Sequence, residues 1–387
     1  MKYISYGKQH IDHSDIKEVS RALKQDLITT GGYVAKFESE IKKKLKAKYI
    51  YTCNSGTSAL FLAFMSINLK ENDNVIMPSV NFIAAANLCK FFKANIFLAD
   101  VDKVSGHMTP VSFEECIKKN RLKKIKAVIT MHLGGYPIYI NEFFKLKKKH
   151  NCYLIEDACH AFGAEYLFGK KFLKVGSCLH SDICTFSLHP VKTITTGEGG
   201  LITTNNKILA KKILLLRSHG IERKKTHWNY DVVKCGFNFR LSDINCALGL
   251  SQLRKIKKFL KFRKKIFEYY KNFFYKYKDI ITFSQDHKNI MPSYHLVNIS
   301  INFRKFKTSK DNLLEKLKKS KIICQFHYTP IYKFKNFKHL KEKNYFYGAN
   351  YYHQNNISLP IHLQINLNTA QYIAKKLIKI LTYYKKN

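Results

Sequence analysis

From about residue 50 to residue 205, short strand-like apolar runs alternate with segments of helical periodicity. That alternation restricts the fold to a sheet built from βαβ crossovers, because parallel neighbours need a connection long enough to return across the sheet. The runs are Asn74–Pro78, Ala94–Val101, Ala127–Leu133, Tyr153–Asp157, Asp182–Ser187 and Gly200–Thr204. None alternates cleanly between polar and apolar residues, as expected of strands covered on both faces. Helices are predicted between them over Thr57–Asn68, Phe82–Phe92 and Ile138–His150. In such a sheet, functional groups collect at the carboxyl ends of strands and at the helix N-termini that follow.

Beyond Asn206 the pattern changes. Apolar residues at helical spacing run from Leu241 to about Lys276 on an otherwise basic face, which reads as a bridging helix. The remainder mixes short strands (His295–Phe303, Ile322–Tyr328) with helices (Lys310–Ser320, Leu367–Tyr384), the pattern of a small α/β domain. A chain of 387 residues exceeds one ordinary domain. The expected division is a large domain over 1–245, N-terminal segment included, and a small C-terminal domain over 246–387 that includes the bridging helix.

The formal net charge of +41 first suggests a polyanionic partner such as nucleic acid. Nearly all of the excess is Lys, scattered over helical segments such as 41–48 and 255–265, whereas Arg, the usual reader of bases and phosphates, is scarce. Solvated helix faces therefore explain the charge better than a nucleic-acid function does. Ten cysteines form no CxxC pair, and Cys152, Cys159, His160, Cys178, His180 and Cys184 match no zinc spacing, so buried thiols and no metal are expected. The chain opens without a signal peptide, and its most apolar stretch, 80–101, contains Lys90, Lys93 and Asp100. A soluble protein of the reducing cytoplasm is expected, with no membrane partner.

Three segments carry chemistry. Cys53-Asn54-Ser55-Gly56-Thr57-Ser58 sets a small, hydroxyl-rich turn before an apolar helix, which is either a plain helix cap or an anion site. Tyr153–Asp157, followed by Ala158-Cys159-His160, is a buried strand ending in two acids. Asp157 there needs a cationic partner, a helix to cap or a metal to bind. Third, Phe186-Ser187-Leu188-His189-Pro190-Val191-Lys192 precedes Gly197-Glu198-Gly199-Gly200. A lysine in an apolar, glycine-flanked loop can be desolvated, which lowers its pKa and makes it a nucleophile toward aldehydes.

In this order, and together with Arg217-Ser218-His219-Gly220 and Gly236-Phe237-Asn238-Phe239-Arg240, these motifs resemble the nucleotide-sugar aminotransferases named for DegT, DnrJ, EryC and StrS. The resemblance spans nearly the whole chain. It implies the type I fold of enzymes dependent on pyridoxal 5'-phosphate (PLP), a mostly parallel α/β sheet sandwiched by helices with a smaller C-terminal domain. It also implies a homodimer with shared active sites. Lys192 would carry PLP as a Schiff base and act as the catalytic base, with Asp157 on the pyridine nitrogen. Phe82 would stack on the ring and His160 would lie against it. Gly56, Thr57 and Ser187 would hold the phosphate, joined by Asn238 of the other subunit. The segment Gln325-Phe326-His327-Tyr328-Thr329-Pro330 would face the sugar nucleotide, making His327 and Tyr328, with His189, the substrate contacts. L-glutamate would give the amino group and a UDP-linked 4-keto sugar would receive it. Gly134-Gly135-Tyr136-Pro137 resembles the perosamine-type branch, which makes a GDP-linked sugar the alternative. A sugar-deoxygenating branch has His where Lys192 stands, so the lysine argues for transamination.

Overall fold

The computed structural model describes residues 3–226, 228–283, 288–341 and 345–385. Seven strands form the main sheet: β1 (Tyr49–Cys53), β2 (Asn74–Pro78), β3 (Asn95–Ala99), β4 (Ala127–Met131), β5 (Tyr153–Asp157), β6 (Ile183–Ser187) and β7 (Gly200–Thr204). Their spatial order is β1-β7-β6-β5-β4-β2-β3. Neighbours from β6 to β3 pair in parallel, and β7 is antiparallel to both β6 and β1. Six strands therefore point the same way, and their carboxyl ends share one edge of the sheet.

Burial explains why the strands lack alternation. Val75 and Met77 of β2, Ile129 of β4, Ile155 of β5 and Ile202 of β7 belong to one core cluster. The intervening Ile76, Val128 and Leu154 belong to a second on the opposite face, and Phe186 and Leu201 to a third. Helices cover both faces, so each strand residue meets apolar surface whichever way it points.

The β-strand and helix expectations hold for most elements and differ in three informative places. Strand β1 was not among the expected runs. The stretch from Leu241 is two helices, Asp243–Arg254 and Ile256–Tyr275, parted at Lys255. The Lys255 amide there bonds back only three residues to Gln252 O (3.0 Å), tightening the turn, while its ammonium lies 2.9 Å from Asp12 and 2.7 Å from Asp15. Ile322–Tyr328 is not a continuous strand. It touches sheet partners only at bridges from Ile322 to Ile4 and from Gln325 to Ser358, then leaves the edge.

The second helix of that pair links two cores. Phe259 packs with the main-sheet cluster, whereas Ile266, Phe267, Tyr270 and Phe274 pack with the C-terminal one. The latter covers a small sheet of β8 (Ile281–Phe283), β9 (Val297–Ile301) and β10 (Asn356–Leu359), in that order and antiparallel. Among the described residues no helix is long and apolar enough to cross a membrane.

Gly200 opens β7 opposite Cys53 on one side and Ser187 on the other. A Cβ there would lie 2.2 Å from the carbonyl oxygen of Ser55, a backbone atom that cannot swing aside. Gly200→Ala should destabilise the fold by about 1–3 kcal/mol, the usual cost of overpacking a tight site. Gly32→Ala, which meets nothing within 4 Å, should change stability by less than about 0.5 kcal/mol. Urea denaturation of the two variants checks both.

Candidate active site

The carboxyl edge of the sheet opens into a cavity of about 510 Å³. After β1, Ser55 caps the helix Gly56–Ser66, its hydroxyl accepting the Ser58 N–H at 3.0 Å, and Ser58 in turn donates to Asn54 Oδ1 at 2.5 Å. The cap leaves the first-turn amides of Gly56 and Thr57 without a helical acceptor, so this end of the helix attracts an anion. Gly56 faces Ser187 at the end of β6 so closely that a Cβ would stand 2.9 Å from the serine Cβ. Two backbone turns thus form a cradle that a methyl group would crowd.

Strand β5 ends in Asp157, 3% exposed, whose Oδ1 accepts the Cys159 N–H at 3.1 Å. The loop after β6 is stapled in several places. Leu188 N–H donates to Gly199 O (2.8 Å), Thr195 Oγ1 to Leu188 O (2.9 Å), and Asn245 Nδ2 to Thr196 O (2.6 Å). Lys192 sits in this loop and lines the cavity with Asp157 and Cys159. Burial pushes its ammonium pKa below the ordinary lysine value, while Cys159 and Asp157 act in the opposite direction. A lysine so placed keeps a larger neutral fraction than a surface lysine does.

His160 is held at both nitrogens. The Gly134 N–H donates to Nδ1 at 3.3 Å, so the proton of the neutral ring sits on Nε2, 2.9 Å from Tyr328 Oη. Burial, reinforced by the Lys192 charge, lowers the His160 pKa well below that of a free imidazole. Tyr328 also packs against Phe82, with ring centroids 5.5 Å apart. Phe82 lies before its helix, which begins at Ala84, and is 48% exposed, an aromatic face turned to the cavity rather than to the core.

The structure therefore brings Gly56, Thr57, Phe82, Asp157, His160, Ser187, His189, Lys192, His327 and Tyr328 to the wall of one cavity. Asn238 does not line it. That residue is exposed, with its carbonyl accepting from Asn54 Nδ2 at 3.3 Å. Cys159, weighed in the sequence only as a metal ligand, lines the cavity, and so does Tyr6, which was not singled out. Nothing in the sequence around Tyr6 marks it. It arrives because Ile4 pairs with Ile322 and the Ile361 N–H donates to Tyr6 O at 3.0 Å. Among the described residues no group of three or more His, Cys, Asp or Glu is arranged to hold a metal.

These groups fit a phosphorylated aromatic aldehyde. The crowded Gly56–Ser187 cradle and first-turn amides suit the phosphate, the Phe82 face suits a flat ring, Asp157 suits a protonated ring nitrogen, and Lys192 suits the aldehyde carbon. The buried imidazoles carry a stability cost as well. Burial holds His327 down to about 3 from an ordinary value of 6.5, so below pH 6.5 the unfolded chain takes up a proton that the folded chain refuses. Stability should fall with acidification through this window, by up to ~1.4 kcal/mol per pH unit for each such histidine. Urea titrations from about pH 7 to pH 4 should show a shallower slope for His327→Gln than for the wild type, by up to one proton.

The chain is similar to known proteins over nearly its whole length. The chain is 38% identical over 384 residues, 99% of each chain, to the UDP-4-amino-4,6-dideoxy-N-acetyl-beta-L-altrosamine transaminase of Campylobacter jejuni subsp. jejuni serotype O:23/36 (strain 81-176). It is 30% identical over 342 residues, 88% of this chain and 90% of the other, to the GDP-perosamine synthase of Escherichia coli O157:H7. Helicobacter pylori PseC, an aminotransferase involved in the biosynthesis of pseudoaminic acid, superimposes with a TM-score of 0.90 at 30% identity. The match covers 99% of this chain and 100% of that one. Residues 9–378 match the model of one family, and the chain belongs to it: the DegT/DnrJ/EryC1/StrS aminotransferase family.

Proposed function

We propose that the chain uses PLP to transfer the amino group of L-glutamate to a UDP-linked 4-keto-6-deoxy-N-acetylamino sugar. The product would be UDP-4-amino-4,6-dideoxy-N-acetyl-beta-L-altrosamine, an intermediate of pseudaminic acid biosynthesis. The observation that carries the reading is the convergence of Lys192, Asp157 and the Gly56–Ser187 cradle on one cavity. The bound cofactor supplies an electron sink for the reacting carbon.

The chain's own residues do the rest. The Asp157 carboxylate, fixed by the Cys159 amide, would keep a proton on the ring nitrogen by stabilising the cation beside it. Lys192, its pKa lowered by burial, would accept a proton from the α-carbon of glutamate in the first half-reaction and deliver one to the former ketone carbon of the sugar in the second. Gly56, Thr57 and Ser187 would anchor the phosphate, Phe82 and His160 would confine the ring, and His189, His327 and Tyr328 would meet the sugar nucleotide. Asn238, exposed and off its own cavity, would complete the phosphate site of a second copy in a homodimer.

The nucleotide is better supported as UDP than as GDP. The UDP-sugar relative matches at 38% over 99% of both chains, against 30% over 88% for the GDP-perosamine synthase. The Gly134-Gly135 pair also has a packing explanation. Both have positive φ, and a Cβ on Gly135 would meet Ser293 Oγ at 2.0 Å and His160 O at 2.8 Å. The turn also seats His160, whose Nδ1 accepts the Gly134 N–H.

Purified protein should show the absorption band of a lysine-linked PLP, convert to the amine form on addition of glutamate, and return on addition of the UDP-keto sugar. Lys192→Ala should lose the band and slow turnover by roughly 10²–10⁴-fold. Asp157→Asn should retain bound cofactor and lose turnover by about 100-fold or more. An Asp157→Asn enzyme with normal turnover would contradict the role given to that carboxylate.

A further inference from the structure

His327 is joined to three polar side chains in a circuit that closes on its own carbonyl, behind the cavity wall. Its Nδ1 lies 2.8 Å from Ser358 Oγ, which donates to Asn298 Oδ1 at 2.6 Å. Asn298 Nδ2 donates to Tyr352 Oη at 3.2 Å, and Tyr352 donates to the carbonyl of His327 at 2.8 Å. Ser358 and Asn298 are cross-strand partners of β10 and β9, so the circuit is built into the register of the small sheet. The bridge between Gln325 and Ser358 then lays the His327 segment along the edge of β10.

Proton counting fixes the direction of this circuit. Tyr352 has one hydroxyl proton, and the His327 carbonyl needs it, so Asn298 must present its NH₂ to Tyr352 and its oxygen to Ser358. The Ser358 proton is then spent on Asn298, and the serine can only accept from His327. The reverse polarity would leave either Asn298 Oδ1 or the His327 carbonyl without a donor, at a cost of about 1–3 kcal/mol in a buried site. His327 therefore carries its proton on Nδ1, and Nε2 is a bare lone pair.

We infer that Ser358, through Asn298, is a positioning residue that makes His327 Nε2 a fixed hydrogen-bond acceptor for a hydroxyl or amide N–H of the sugar substrate. This rests on the proposed transamination of a nucleotide sugar. A neutral acceptor attracts a hydroxyl or acetamido N–H and offers nothing to the carboxylates of glutamate. The circuit thus separates the two substrates that must use one cavity in turn. His327 is too weak a base to compete for the proton that Lys192 handles, because burial and the Lys192 charge keep the ring neutral.

Two readouts on the holoenzyme test this. Nitrogen-15 NMR of histidine-labelled protein, with the His327 signals assigned by their loss in His327→Gln, should show a protonated Nδ1 and a bare Nε2. That state should stay unchanged between about pH 6 and pH 9, well above the depressed pKa. Ser358→Ala should lose the single tautomer. In separate half-reactions, Ser358→Ala should lower kcat/KM for the UDP-keto sugar by roughly 10- to 100-fold, leave the glutamate half-reaction within about twofold, and be rescued by Ser358→Thr. A wild-type ring protonated on Nε2, or equal losses in both half-reactions, would overturn the inference. If no UDP-keto sugar reacts with the wild type, the substrate assignment fails, and the tautomer measurement still decides the role of Ser358.

Discussion

The site depends on one point of backbone contact. Gly200 faces Cys53 of β1 and Ser187 of β6 in the same row of the sheet, with the Ser55 carbonyl pressed against the place where a side chain would start. That approach brings the helix that begins at Gly56 onto Ser187 and sets the height at which the Lys192 loop leaves β6. Because β7 alone runs against the others, the chain returns to this row through the glycine-rich turn that follows Lys192. A parallel strand there would begin at the far edge and could not close the loop.

Electrostatics then follows from burial. Lys192, His160 and His327 are potential cations on the wall of one cavity, with the His295 ring packed against His160 (centroids 4.3 Å apart), and each of the four is pushed toward its neutral form. Asp157 is the acid among them at the strand end. Such a site is costly for the folded chain and suited to a ligand that brings a phosphate and a ring nitrogen able to hold a proton. The net charge of +41 plays little part in this arrangement. Lys42, Lys43 and Lys44 lie in the last turn of the helix Gly32–Leu45, where cations oppose its dipole favourably.

Much of the fold was legible in the sequence, and the reasons are local. Asn74–Pro78, Tyr153–Asp157 and Gly200–Thr204 are observed with the expected bounds, because each is a short apolar run bounded by polar or turn-forming residues. Tyr49–Cys53 has the aromatic and β-branched composition of a strand, but it follows the lysine-rich helix Gly32–Leu45 so closely that no turn-forming residue marks its start. Ile322–Tyr328 has strand composition, yet only Ile322 and Gln325 find sheet partners, since Phe326, His327 and Tyr328 are diverted to the cavity. The site was legible where neighbouring residues share a motif, as in Ser55-Gly56-Thr57 and His189 to Lys192. Tyr6, Asn298, Ser358 and Tyr352 reach the site or its wall only through tertiary pairing, and no spacing in the chain foretells that.

The account turns on which lysine, of a great many, carries the cofactor. Borohydride reduction of the purified holoenzyme followed by peptide mapping measures that directly. The account predicts a pyridoxyl group on the peptide containing Lys192 and no comparable labelling elsewhere. Labelling at a different lysine, or no lysine-linked cofactor in a folded protein supplied with PLP, would contradict it.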